Sequence, residues 1–162
     1  MNTSLVASSD GVELPIYDYS PESTLPSVLF SHATGFHGRC FNSTAELLAD
    51  SAHCYSFDYR GYGDATLPHD WNVTWAGYGD DAQTVAQHVA RTSGPSIAFG
   101  HSMGGAALVM AALREPELFR ALVLFEPIIF PPIVRESGNS GGPSPLSEGA
   151  RRRRTEGRPP AG

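Results

Sequence analysis

The stretch Ser96-Ile97-Ala98-Phe99-Gly100-His101-Ser102-Met103-Gly104-Gly105-Ala106-Ala107 decides how this chain is read. Residues 96–99 form a short apolar run of the kind that makes a buried strand. Residues 103–113 are small and apolar at helical spacing, and Pro116 stops them. Between the two stands G-x-S-x-G, a pattern that recurs by chance; its place between strand and helix is what makes it specific here. A serine on so sharp a strand-to-helix turn needs very small residues two positions before and two after, a demand Gly100 and Gly104 meet. Gly105, Ala106 and Ala107 then let the helix lie close to the sheet. This geometry puts Ser102 Oγ at the top of the sheet, in front of a helix N-terminus. There the dipole and the free Met103 N–H can stabilise negative charge on an oxygen.

Working outward, strand and helix signals alternate after an initial pair of strands. Residues 5–8 and 12–19 flank Ser9-Asp10-Gly11, which closes a hairpin. Residues 28–31 read as a strand that leads into the loop His32-Ala33-Thr34-Gly35-Phe36-His37-Gly38. Residues 40–49 have helical spacing, with Phe41, Ala45 and Leu48 on one face. Residues 54–57 read as a strand ending at Asp58-Tyr59-Arg60-Gly61, residues 74–91 as a helix with Ala82, Val85, Val89 and Ala90 inward, and residues 121–125 as a further strand. Strands separated by helical segments imply βαβ crossovers and a mostly parallel sheet covered on both faces. The expected fold class is α/β.

Composition narrows the function classes. At 162 residues the chain fits one domain, and 41% hydrophobic with 17% charged residues belongs to a globular protein rather than a disordered or fibrous one. No apolar run approaches the roughly 20 residues of a membrane span. Residues 1–10 do not read as a secretory signal, so a cytoplasmic protein without membrane attachment is expected. Cys40 and Cys54 are too few for a disulfide framework and lack metal-site spacing, which suits a reducing compartment.

Charge is uneven along the chain. Residues 1–150 carry sixteen acidic residues against six arginines, a balance of −10, whereas residues 151–162 are +4; lysine is absent. An acidic body argues against nucleic acid as a partner, since phosphate binding needs a basic surface. Residues 127–162 hold 7 of the 13 prolines and 6 of the 17 glycines, which predicts a poorly ordered tail after a folded body over residues 1–126. Arg151 to Arg154 read as a solvated run within that tail.

Three motifs in order, His32-Ala33-Thr34-Gly35, Asp58-Tyr59-Arg60-Gly61-Tyr62-Gly63-Asp64 and Gly100-His101-Ser102-Met103-Gly104-Gly105, resemble those of the α/β-hydrolase fold superfamily over residues 5 to about 126. The resemblance implies Ser102 as the nucleophile, with Met103 N–H and Thr34 N–H as the oxyanion hole and no cofactor or metal. The second motif departs from the superfamily's D-x-R-G-x-G-x-S in having Ala65 where the serine stands. A larger departure concerns the triad, whose acid and histidine follow the serine in that superfamily. Here all six histidines, at 32, 37, 53, 69, 88 and 101, precede Ser102, and no aspartate follows it. Glu126 occupies a position where some members keep the acid; it can equally face solvent. The chain therefore looks like the N-terminal part of a hydrolase, short of its last strands, its cap and its catalytic histidine.

The remaining candidates have structural readings. His101 is expected to pack against the elbow, and His32 and His37 to make structural hydrogen bonds. Asp58 and Arg60 are expected to form a loop-stabilising ion pair, and Met103 to form a pocket wall. The expected function is a serine hydrolase acting on ester or related acyl bonds of a small-molecule substrate, impaired by the missing histidine. The alternative is a non-catalytic remnant of that fold. In either case, loss of the final strands exposes the edge of strand 121–125 to self-association.

Overall fold

Val28, Leu29 and Phe30 point alternately to two sides, as successive strand residues must. Leu29 joins the larger of two apolar clusters, and Val28 and Phe30 join the smaller. These residues belong to the middle of a six-stranded sheet in the computed structural model, which describes residues 1–68, 70 and 73–129. The strands are β1 (Asn2–Ala7), β2 (Glu13–Asp18), β3 (Ser27–Ser31), β4 (His53–Phe57), β5 (Ser96–His101) and β6 (Phe119–Phe125), arranged β1-β2-β4-β3-β5-β6. β1 and β2 are antiparallel to their neighbours, while β4, β3, β5 and β6 run parallel. The hairpin expected at residues 9–11 is present, with Asp10 at φ 59° and Gly11 at φ 70°. Residues 1–129 form one compact unit. The tail expected over 127–162 lies, from Phe130 onward, outside the described residues.

Among the described residues three α-helices cover the sheet. On one face lie α2 (Trp75–Ser93) and α3 (Met103–Arg114), whose Ala82, Val85, Val89, Ala107 and Leu108 pack against Leu29, Phe57 and Ala98. Each large side chain fully buried here contributes about 1.5–3 kcal/mol. The Thr74 side chain caps α2 by accepting from Gly77 N at 3.1 Å, and Gly94 ends it at φ 76°. On the other face the expected helix over 40–49 is shorter. A 3-10 turn, Gly38–Phe41, precedes α1 (Asn42–Leu47). Gly38 sits so close to the backbone of Phe57 that a Cβ there would be 2.6 Å from Phe57 O, so the chain enters in a tighter turn. Phe41, Ala45 and Leu48 still share one face and meet Phe30. Beside α1 lies a mostly apolar trough of about 370 Å³, lined by Val28, Phe30, Ile97, Phe99 and Val123 among others.

Candidate active site

The turn after β5 has the predicted shape. Ser102 takes φ 53° and ψ −115°, a region that costs a non-glycine residue about 1–3 kcal/mol. It is held from both sides. Ser102 N donates to Phe125 O at 3.0 Å, and Ser102 O accepts from Ala106 N and Ile128 N, each at 3.2 Å. The glycines around it are required by space. A Cβ on Gly100 would stand 2.6 Å from Gly105 Cα, and one on Gly104 would stand 2.5 Å from His32 O and 2.6 Å from Ser31 O. That second approach brings the start of α3 directly against the end of β3, and so beside the loop 32–38.

The loop itself is tied down at both ends. His32 is buried, and the backbone N–H of Tyr59 donates to its Nε2 at 3.1 Å, so Nδ1 carries the proton and donates to Ala33 O at 2.8 Å. Burial pushes the His32 pKa below its ordinary value, which keeps the ring neutral and fits a structural role. Phe36 N donates to Ala33 O at 3.1 Å, with Gly35 at φ 81°, turning the chain around an exposed Thr34. The Thr34 and Met103 N–H groups are not engaged by any acceptor among the described residues. At the far end Gly38 N donates to Asp58 Oδ1 at 2.6 Å.

Asp58 and Arg60 do not pair with each other, contrary to the sequence expectation. Asp58 Oδ2 accepts from Tyr17 Oη at 2.7 Å and from Asp64 N at 2.8 Å, so Asp58 ties the two loops to each other and to β2. Burial, and then this carboxylate, push the Tyr17 phenol well above its ordinary pKa. Arg60 is fully buried and grips Asp81 with two parallel bonds, Nε to Oδ2 at 2.9 Å and Nη2 to Oδ1 at 2.8 Å. Its Nη1 reaches the exposed Asp10 at 2.9 Å, and Ser8 Oγ donates to Asp81 at 2.6 Å. Asp81 was missed in the sequence, although a signal exists. It lies four residues before Val85 on the inward stripe of α2, where an acid needs a buried cation. A second pair, Asp18 Oδ1 with His53 Nε2 at 2.7 Å, was also missed.

The other candidates fall as follows. The His101 ring packs between Phe36 and Phe125, with centroids at 6.5 and 5.2 Å. Met103 is a correction, because its side chain is buried in the larger core instead of walling a pocket. Glu126 follows β6 at φ 45° and is exposed. Among the described residues no histidine nitrogen is hydrogen-bonded to Ser102 Oγ, and no cluster of His, Cys, Asp or Glu could hold a metal. Cys40 and Cys54 are free, and no described helix is long and apolar enough to cross a membrane.

A mostly parallel sheet whose fifth strand runs through a positive-φ serine into a helix defines a hydrolase-type α/β fold. The sequence profile described as "Alpha/beta hydrolase family" matches residues 28–161, and the chain belongs to that family. It is 27% identical over 107 residues to the sn-1-specific diacylglycerol lipase ABHD11 of Mus musculus, covering 65% of this chain and 34% of that protein. It is 30% identical over 101 residues to a 2-(acetamidomethylene)succinate hydrolase of Mesorhizobium japonicum, covering 62% and 35%. A solved hydrolase from Pseudomonas aeruginosa PA01 superposes with a TM-score of 0.68 at 21% identity, over 95% of this chain and 52% of that one. The chain thus spans about a third of the length of these two curated relatives.

Proposed function

We propose that this chain carries the nucleophile and the oxyanion hole of a serine hydrolase acting on ester or related acyl bonds of a small substrate. The observation that carries the reading is Ser102 at φ 53°, ψ −115° at the head of α3, with the Thr34 loop packed beside it. Hydrolases and lipases among its relatives support the bond type.

In this reading Ser102 Oγ attacks the substrate carbonyl carbon, and the carbonyl oxygen takes up negative charge between the N–H groups of Met103 and Thr34. The helix dipole of α3 favours the same charge. Collapse of the tetrahedral intermediate expels the alcohol and leaves an ester on Ser102, which water then hydrolyses. The proton leaving Ser102 Oγ needs an acceptor. None of the described histidines is bonded to that oxygen, so slow turnover is expected, with solvent or a base in solution able to serve as the acceptor.

The test measures hydrolysis of a small activated ester by the wild-type chain and by Ser102→Ala, with and without added imidazole. The expected result is a slow rate that vanishes in Ser102→Ala, and an increment from imidazole, beyond its reaction in free solution, only in the wild type. Equal rates in both chains under both conditions contradict the proposal.

A further inference from the structure

β2 and β4 lie side by side and antiparallel, and in their register Asp18 stands directly opposite Tyr55. Opposed residues of a ladder share a face, here the one covered by α2, where Ile16 and Tyr55 join Val85 and Val89 in one apolar cluster. Beside the last turns of α2, Asp18 and Tyr55 line a cavity of about 400 Å³ together with Asn2, Ser4, His88 and Thr92 among others. That volume falls in the range of small-molecule sites, about 300–1,000 Å³. The walls come from β1, β2, β4 and α2. Because β4 begins and α2 ends here, the cavity stands at the opposite end of the parallel strands from Ser102, which follows the end of β5.

The hydrogen bonds around the cavity decide what it offers a ligand. Asp18 Oδ1 accepts from Ser20 N at 3.0 Å and from His53 Nε2 at 2.7 Å, while Oδ2 has no donor among the described residues. The Asp18 side chain keeps 19% exposure against 2% for His53, so the carboxylate is fixed yet reachable. With Nε2 carrying the proton of a neutral ring, His53 Nδ1 accepts from Ser93 Oγ at 3.4 Å, and that hydroxyl accepts from Tyr55 Oη at 2.7 Å. The His53 ring also stacks on Tyr55, with centroids 4.4 Å apart. Thr92 Oγ1 gives its own proton to His88 O at 3.0 Å. The Tyr55 and Thr92 oxygens are thus left with lone pairs to offer, beside an acidic side chain, and no Lys or Arg lines the cavity. Burial, and then the Arg91 charge, push the His88 pKa below its ordinary value, so that ring adds no positive charge at neutral pH.

We propose that this cavity binds a small amino polyol, its ammonium held by Asp18 Oδ2 and the Tyr55 and Thr92 hydroxyl oxygens, its hydroxyls set against Asn2, Ser4 and His88. A protonated primary amine has three N–H donors, one for each of these acceptors, and a bond to a carboxylate is about twice as strong as one between neutral groups. The remaining polar residues are neutral and suit hydroxyl groups better than an aliphatic chain. The site does not depend on Ser102 reacting.

The experiment is an amide NMR titration of the 162-residue chain with glucamine and, separately, with sorbitol, which has a hydroxyl where glucamine has its amine. Glucamine is expected to bind with a Kd of about 1–10 mM and to shift the amides of Ser4, Asp18 and Thr92, and sorbitol to bind at least about tenfold more weakly. Asp18→Asn keeps an oxygen that accepts from Ser20 N and His53 but removes the charge. It is expected to weaken glucamine binding about tenfold or more, whereas Ser102→Ala binds glucamine as wild type does. No glucamine binding up to about 50 mM, equal affinity for the two probes, shifts centred on residues 100–106, or unchanged binding by a folded Asp18→Asn each overturns the inference. The comparison of the two probes uses the wild-type chain alone, so it decides the matter even where circular dichroism shows Asp18→Asn to be unfolded.

Discussion

Asp81→Ala is expected to cost about 3–5 kcal/mol of stability, because it leaves the Arg60 guanidinium fully buried without its bidentate partner. A domain of this size has only about 5–15 kcal/mol in hand, so a large share of the chain would unfold at modest denaturant. The same change also strips Ser8 Oγ and Arg60 N of the carboxylate they donate to, adding unsatisfied donors at the junction of α2, β1 and β4. Asp10→Ala is the internal comparison. Asp10 binds the same guanidinium from an exposed position, and its loss is expected to cost under about 1 kcal/mol. Urea midpoints of the two variants decide the matter. Equal midpoints would show that burial of the Arg60–Asp81 pair contributes nothing special.

Gly104→Ala is expected to destabilise by about 2–3 kcal/mol, although helix propensity alone predicts a gain of about 1 kcal/mol for the same change. The sign is set by space. The added Cβ would stand 2.5 Å from His32 O and 2.6 Å from Ser31 O, backbone atoms that move only if β3 and α3 separate. Gly79→Ala is the matched control in α2, where the nearest atom is the flexible Met110 side chain at 3.1 Å. That substitution is expected to be neutral or mildly stabilising. Thermal melts that rank Gly104→Ala at or above wild type would contradict the close seat of the elbow helix against β3.

Local requirements were legible in the sequence, and long-range ones were not. The elbow could be read because its demands are met within five residues, by Gly100, Ser102 and Gly104 themselves. The strands could be read from alternation and from apolar runs, and the mostly parallel sheet then followed from the helical crossovers, whereas the strand order came only with the structure. Arg60 shows the limit. Its neighbour in sequence, Asp58, was the natural partner, yet a strand end sends residues 58 and 60 into different surroundings, and Arg60 finds Asp81 on α2 instead. Met103 failed for a related reason, since a residue at the head of a helix can give its N–H to one side and its side chain to the core on the other. α1 came out short because Gly38 must clear the Phe57 backbone, a contact no periodicity records.

The central claim, that Ser102 is the reactive serine, is tested most directly by a serine-directed fluorophosphonate followed by peptide mapping. The wild-type chain is expected to carry the label on Ser102, slowly because none of the described histidines is bonded to it, and Ser102→Ala and heat-denatured wild type to carry none. Label spread over other serines, or equal labelling of wild type and Ser102→Ala, would contradict the account.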